Sequence, residues 1–227
     1  MPDERFLTHY YFTELLAYYD DLSHLRDIGT IKGDEAEKRF ARRIDELHRQ
    51  LGVSPTVDDL EAWHKIYCRL YDNISQRVRD ANPDASSERI NDIVGWIIHW
   101  WQMARRDLRS ASAPSLHPDW QFFISFNAIR AVCALLARTV GFDFDLTKRP
   151  TAVFDCMAAI DEPGMERFSE YMYECDYRVC ALLHDQPGVI DKKQAEEIRR
   201  ISWDFYHNAE QWLLGETAVL APSVAET

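Results

Sequence analysis

Apolar side chains recur along most of this chain at alternating intervals of three and four. Tyr11, Leu15, Tyr18, Leu22 and Leu25 form the first series, and Gly29 follows it. That spacing puts side chains on one face of a helix with 3.6 residues per turn. Glycine suits the stop, because it adopts the left-handed conformation past a helix end. The second predicted helix opens at Asp34, carries Ala36, Phe40, Ile44, Leu47 and Leu51, and ends at Gly52. The third opens at Thr56 and runs through Leu60, Trp63, Tyr67, Leu70, Ile74 and Val78 to Asn82-Pro83. The fourth starts near Ser86 or Ser87, with Ile90, Ile93, Ile97, Trp101, Ala104 and Leu108 as its inward stripe.

A loop at Ala111 to His117 precedes the fifth predicted helix, residues 118–140. Phe122, Phe126, Ile129, Cys133, Leu136 and Val140 line one of its sides, while Phe123, Ala134 and Ala137 lie on another. A helix that is apolar on more than one face is buried by its neighbours, so this one is expected at the centre. A short helix at 151–160, one from Met165 to His184, and one from Asp191 to Trp212 complete the series. Glycine and proline are expected between the helices. No stretch carries the alternation of a strand. The pattern predicts an all-α, single-domain bundle of about eight helices over residues 1–215, with a loosely ordered tail at 216–227.

Composition adds limits to that picture. The 227 residues are 46% hydrophobic, with 7 Trp, 10 Tyr and 11 Phe, enough to bury a sizeable core. Lys and Arg number 26 against 38 Asp and Glu, a formal net charge of −12. Such a surface repels nucleic-acid backbones, whose binding depends on basic side chains; it fits solubility, or a basic protein partner. Arg105, Arg106 and Arg109 lie near a predicted helix end, where they complement its dipole. The 5 cysteines show no CxxC spacing and fall within predicted helices, as reduced, buried thiols of a cytoplasmic protein would. The first residues lack the basic and apolar regions of a signal peptide. The most apolar stretch, Phe122 to Ala137, is interrupted by Asn127 and Arg130, so no membrane span is expected.

Four carboxylates precede a histidine by three residues: Asp21/His24, Asp45/His48, Glu61/His64 and Asp204/His207. Side chains three apart are neighbours on a helix, and di-iron bundles use Glu-x-x-His pairs of this kind. The pairs here do not share an inward face, and His207 falls opposite Phe205. Compared with heme-oxygenase-like di-iron proteins, Cys68 stands where a ligating His follows Glu61. The last helix offers Arg200, Asp204 and His207 in place of His-x-x-x-Asp-x-x-His. Arg178 and His184 have the spacing of the Arg and His of HEPN-class RNases, but Val179 replaces the polar residue that follows that arginine. No phosphate loop, nucleophile elbow, HExxH or kinase signature is present. No catalytic residue, cofactor or metal is therefore assigned.

Two groups stand out as candidate binding residues. Trp96, His99, Trp100 and Met103 make a second stripe on the fourth predicted helix, away from its inward one. It packs on another helix of the chain or forms an exposed apolar patch, which marks a contact site. Asn127 and Arg130 share a face of the apolar helix, as an internal hydrogen-bond network or an anion site. The functional expectation is a cytoplasmic protein that acts by binding another protein, as regulator, adaptor or inhibitor, with a homo-oligomer as one form of such binding. The alternative is a metal-dependent or small-molecule enzyme with its site inside the bundle.

Overall fold

The computed structural model describes residues 29, 32–51, 57–142, 151–160, 164–184, 188–215 and 219–222. Seven helices and no strand occur among them: α1 (Gly33–Leu51), α2 (Val57–Ala81), α3 (Ser87–Ala111), α4 (Pro118–Thr139), α5 (Ala152–Ala159), α6 (Met165–Leu183) and α7 (Lys192–Leu213). The first predicted helix lies outside the described residues. The chain divides into two compact units, Met1–Cys68 and Arg69–Thr227. In the first, Asp34 and Glu35 occupy the acidic first turn of α1. The Arg39 side chain donates to Glu35 at 3.0 Å, and this ion pair holds the Glu35 carboxyl below its ordinary pKa.

In the second unit, the helix starts follow local chemistry. The Ser86 hydroxyl accepts from the Arg89 backbone at the start of α3. Pro118, with no N–H to leave orphaned, opens α4. Asp191 and Gln194 form a capping box on α7, so each satisfies a backbone donor of the other. Asp119 does more than start its helix: its carboxylate accepts from Gly188 N at 2.7 Å and Ile190 N at 3.1 Å. The segment leading into α7 is thereby tied to the first turn of α4.

The expectation for the apolar helix is met. Most of both stripes is buried, Phe122, Ile129 and Leu136 on one side and Ala134 and Ala137 on the other, while Phe123 and Val140 are half-buried. α3 and α7 pack on it most extensively, with α5 and α6 beside them. By length and composition α4 is also long and apolar enough to cross a membrane, but two-thirds of its apolar window is buried inside the bundle. Each large aliphatic or aromatic side chain buried here contributes about 1.5–3 kcal/mol. α6 is joined to α5 where the Ser169 hydroxyl donates to Phe154 O at 2.7 Å. Arg77 of α2 lies over the Trp212 ring, 3.6 Å from its centroid, and donates to the Trp212 carbonyl. Within the segment read as a loose tail, Leu220 is buried and its carbonyl accepts from Asn208.

Two readings change, and one arginine turns inward. Gly95 lies inside α3 rather than between helices. Cys133 and Cys175 are buried, but Cys68 and Cys180 are exposed and Cys156 is half-buried. Arg105 is only 4% exposed; it follows Trp101 by one turn and therefore shares its inward direction, and only Arg106 of the three arginines is open to solvent.

Candidate protein-docking face

The 25 residues of α3 turn in two directions. Ile90, Val94, Ile97, Trp101 and Leu108 enter the core. The outer stripe holds the predicted residues Trp96, His99, Trp100 and Met103. Trp96 and Met103 are half-buried, His99 is exposed, and Trp100 keeps 36% of its surface open. The neighbouring Trp101 keeps 2%. One residue of helical rotation thus separates a core indole from a surface one.

The two outer indoles form a ridge. Their ring centroids are 5.7 Å apart with planes tilted by 45°. His99 meets Trp100 edge to face at 6.2 Å. The Arg138 guanidinium, from the last turn of α4, lies 4.2 Å from the Trp96 centroid. A cation over an indole at a solvent-accessible site contributes about 0.5–1 kcal/mol, which fixes Trp96 while Trp100 stays open.

Beside the ridge lies a bare stretch of backbone at Gly95. It is exposed, and a Cβ built there would meet nothing within 4 Å. Neither internal packing nor a left-handed backbone asks for glycine here. Mid-helix glycine costs about 1 kcal/mol relative to alanine. The face therefore sets an aromatic ridge beside a stretch of exposed helix backbone. Sequence reasoning passed over Gly95; the signal was a glycine interrupting an otherwise periodic helix, one position before Trp96.

Asn127 and Arg130 belong to a different face, on the side of α4 toward α6. The Asn127 amide donates to Phe123 O at 2.9 Å within its own helix. Arg130 is half-buried, and burial lowers its pKa against the opposing pull of Asp176 on α6. Asp176 responds in the opposite sense, its carboxyl raised by burial and lowered in part by Arg130. The structure does not join this pair to the Trp96–Trp100 ridge.

A buried polar cluster between α3 and α7 was also missed. Tyr206 is fully buried, with its ring stacked on Trp101 at 5.8 Å. Burial pushes its phenol well above the ordinary range; Arg105 and Arg109 pull it down and Glu210 raises it. Among the described residues the Tyr206 hydroxyl has no hydrogen-bond partner.

Among the described residues no group of three or more His, Cys, Asp and Glu side chains gathers to hold a metal ion. Asp204 is engaged by Arg200 at 2.8 Å, and His207 is exposed, stacked on Trp203 at 5.6 Å. Asp45 is exposed. The side chains of His48, Glu61 and His64, and the pair Asp21/His24, lie outside the described residues. His184 is exposed at the end of α6, and Arg178 is half-buried one and a half turns before it. Compared with known protein families, curated proteins and solved structures, the chain matches none.

Proposed function

We propose that this protein acts by binding another protein through the outward face of α3, in a non-catalytic role such as regulator, adaptor or inhibitor. The observation that carries the reading is the Trp96–Trp100 ridge, open at Trp100, set against the exposed Gly95 notch. Tryptophan and methionine are enriched at interfaces, and energetic anchors are typically large aromatic side chains flanked by groups that exclude water. An indole buries roughly 200–250 Å² when fully covered. The open share of Trp100, 36%, is then about 80 Å², worth about 2 kcal/mol on burial, or ~30-fold in affinity. The net charge of −12 favours a basic protein over nucleic acid, and a reduced cytoplasmic setting suits the cysteine thiols.

The test is capture with a tagged wild-type chain beside Trp100→Ala, followed by reconstitution of any captured protein from purified components. The reading expects Trp100→Ala to fold and to lose the partner. Equal binding by both chains, or a Trp100→Ala chain that does not fold, contradicts it.

A further inference from the structure

The outward side of α6 is an unpartnered aromatic face. Met165, Phe168, Met172, Cys175 and Val179 turn inward, and the helix packs on α5 and α4. On the opposite side Tyr177 keeps 79% of its surface open, more than any other large apolar side chain described, and Tyr173 keeps 40%. Glu166, Glu170 and Glu174 are exposed beside them. At 100° per residue, the three carboxylates and Tyr177 share one sector about 80° wide, and Tyr173 borders it. The Tyr173 hydroxyl donates to Asp155 of α5, which adds a fourth carboxylate at the edge.

The charges on this face are of one sign and are not neutralised within the helix. On α1 and α7, surface acids sit one turn from a base: Asp34 with Lys38, Glu35 with Arg39, Glu196 with Lys192 and Asp204 with Arg200. Among the described residues, Glu166, Glu170 and Glu174 make no ion pair with Arg167 or Arg178, the two bases of their own helix. Arg178 is half-buried and acts on Tyr171 and Cys175 instead. Like charges one turn apart weaken a helix. Nor do the carboxylates converge on a metal ion: no such group gathers among the described residues, and Glu166 to Glu174 extend in line over about 12 Å.

We infer that this face is a second docking surface, and that its occupant is a basic segment of a partner protein with Arg or Lys side chains about one helical turn apart. A row of carboxylates matches a row of cations rather than a single ion. A guanidinium stacks on the open Tyr177 ring while its neighbours pair with the glutamates, and Tyr and Arg are both enriched at interfaces. The exposed charges of α3, Glu88, Arg89 and Arg106, are of both signs. The basic partner that a net charge of −12 favours therefore finds its electrostatic match on α6. The inference does not depend on the α3 reading, because the two faces share no residue.

Fluorescence polarisation of the full chain with a labelled alanine-based peptide, bearing arginine at every fourth position, tests the inference. Binding is expected with a Kd of about 100 μM or tighter at low salt, and none when glutamate replaces the arginines. Glu170→Lys with Glu174→Lys should weaken it ~10-fold or more, two exposed pairs being lost and repulsion added. Asp72→Lys with Asp84→Lys makes the same change in net charge at exposed carboxylates elsewhere, and should weaken it less than about threefold. Tyr177→Ala should weaken it ~3–5-fold, while Tyr177→Phe keeps the ring and the binding. All these side chains are exposed, and unchanged melting curves verify that the variants fold. No binding at about 1 mM, or an equal loss in the two double-lysine variants, overturns the inference. So does full binding by Tyr177→Ala, which would leave net acidity alone as the cause. If Trp100→Ala abolishes peptide binding, the basic segment belongs on α3, and the α6 surface falls while the α3 reading stands. If peptide binding follows the α6 variants and Trp100→Ala leaves a purified partner bound, the α6 surface stands and the α3 reading falls.

Discussion

Replacing Tyr206 with phenylalanine should stabilise this protein. Tyr206 is completely buried, its ring lies on Trp101 at 5.8 Å, and Trp203 meets it edge-on at 6.0 Å. Phenylalanine keeps all of that ring packing. It removes only the hydroxyl, which has no hydrogen-bond partner among the described residues. An unsatisfied buried polar group costs about 1–3 kcal/mol. The space left by one oxygen is smaller than a methyl group and returns at most about 1 kcal/mol of that. The net expectation is a gain of about 1–2 kcal/mol, or roughly 3–6 °C in Tm for a unit of this size. Urea denaturation with an unchanged slope, together with a thermal melt, measures it. Phe205→Ala serves as the contrast: Phe205 is buried against Phe168 at 4.5 Å, and its truncation should cost about 3–5 kcal/mol. A loss of 1 kcal/mol or more in Tyr206→Phe would refute the reasoning, because the hydroxyl would then have to be paired in the folded protein.

Four other outcomes follow from the same structure. Asp191→Ala removes the capping box of α7 and should cost about 1 kcal/mol, seen as a lower urea midpoint; an unchanged midpoint would show that Gln194 and water replace it. Gly95→Ala should raise stability by up to about 1 kcal/mol, since the added methyl meets nothing; a lower Tm would show that the notch is filled within the chain. In a thiol titration of the native protein, Cys68 and Cys180 should react first and Cys156 more slowly, with Cys133 and Cys175 reacting only on unfolding; fast labelling of all five would contradict the burial described. Burial raises the Cys175 thiol to about 12, so the folded state holds its proton more tightly than the unfolded chain. The stabilisation from this thiol is complete below about pH 8.5 and falls by up to about 1.4 kcal/mol per pH unit as the pH rises toward 12; Cys175→Ala should lessen that alkaline slope, and an identical slope would sink the assignment.

Most of the fold was legible because helix faces follow from spacing. The inward stripe of α3 and both sides of α4 repeat every three or four residues, and burial follows that repeat directly. Caps were legible where side-chain chemistry sits next to the helix start, as at Ser86 and Asp191. The burial of Arg105 follows from its rotation, one turn after Trp101, although it lies near a helix end. The cysteines at 68 and 180 were misread because apolar neighbours in sequence need not be neighbours in space. The outer stripe of α3 was legible as a stripe. Whether it stayed open depended on how other helices crowd it, which no local pattern encodes. Gly95 required the structure to show that nothing inside the chain approaches it.

The account turns on Trp100 facing outward for a partner while Trp101, one residue later, supports the core. The free energy of unfolding of Trp100→Ala, measured by urea denaturation of the isolated chain at low concentration, tests this most directly. The account predicts a loss clearly smaller than that of Trp101→Ala measured beside it, because Trp100 keeps 36% of its surface open and Trp101 2%. A loss equal to that of Trp101→Ala, about 3–5 kcal/mol for an aromatic side chain cut from a packed interior, would make the ridge part of the core and leave the docking face without its anchor.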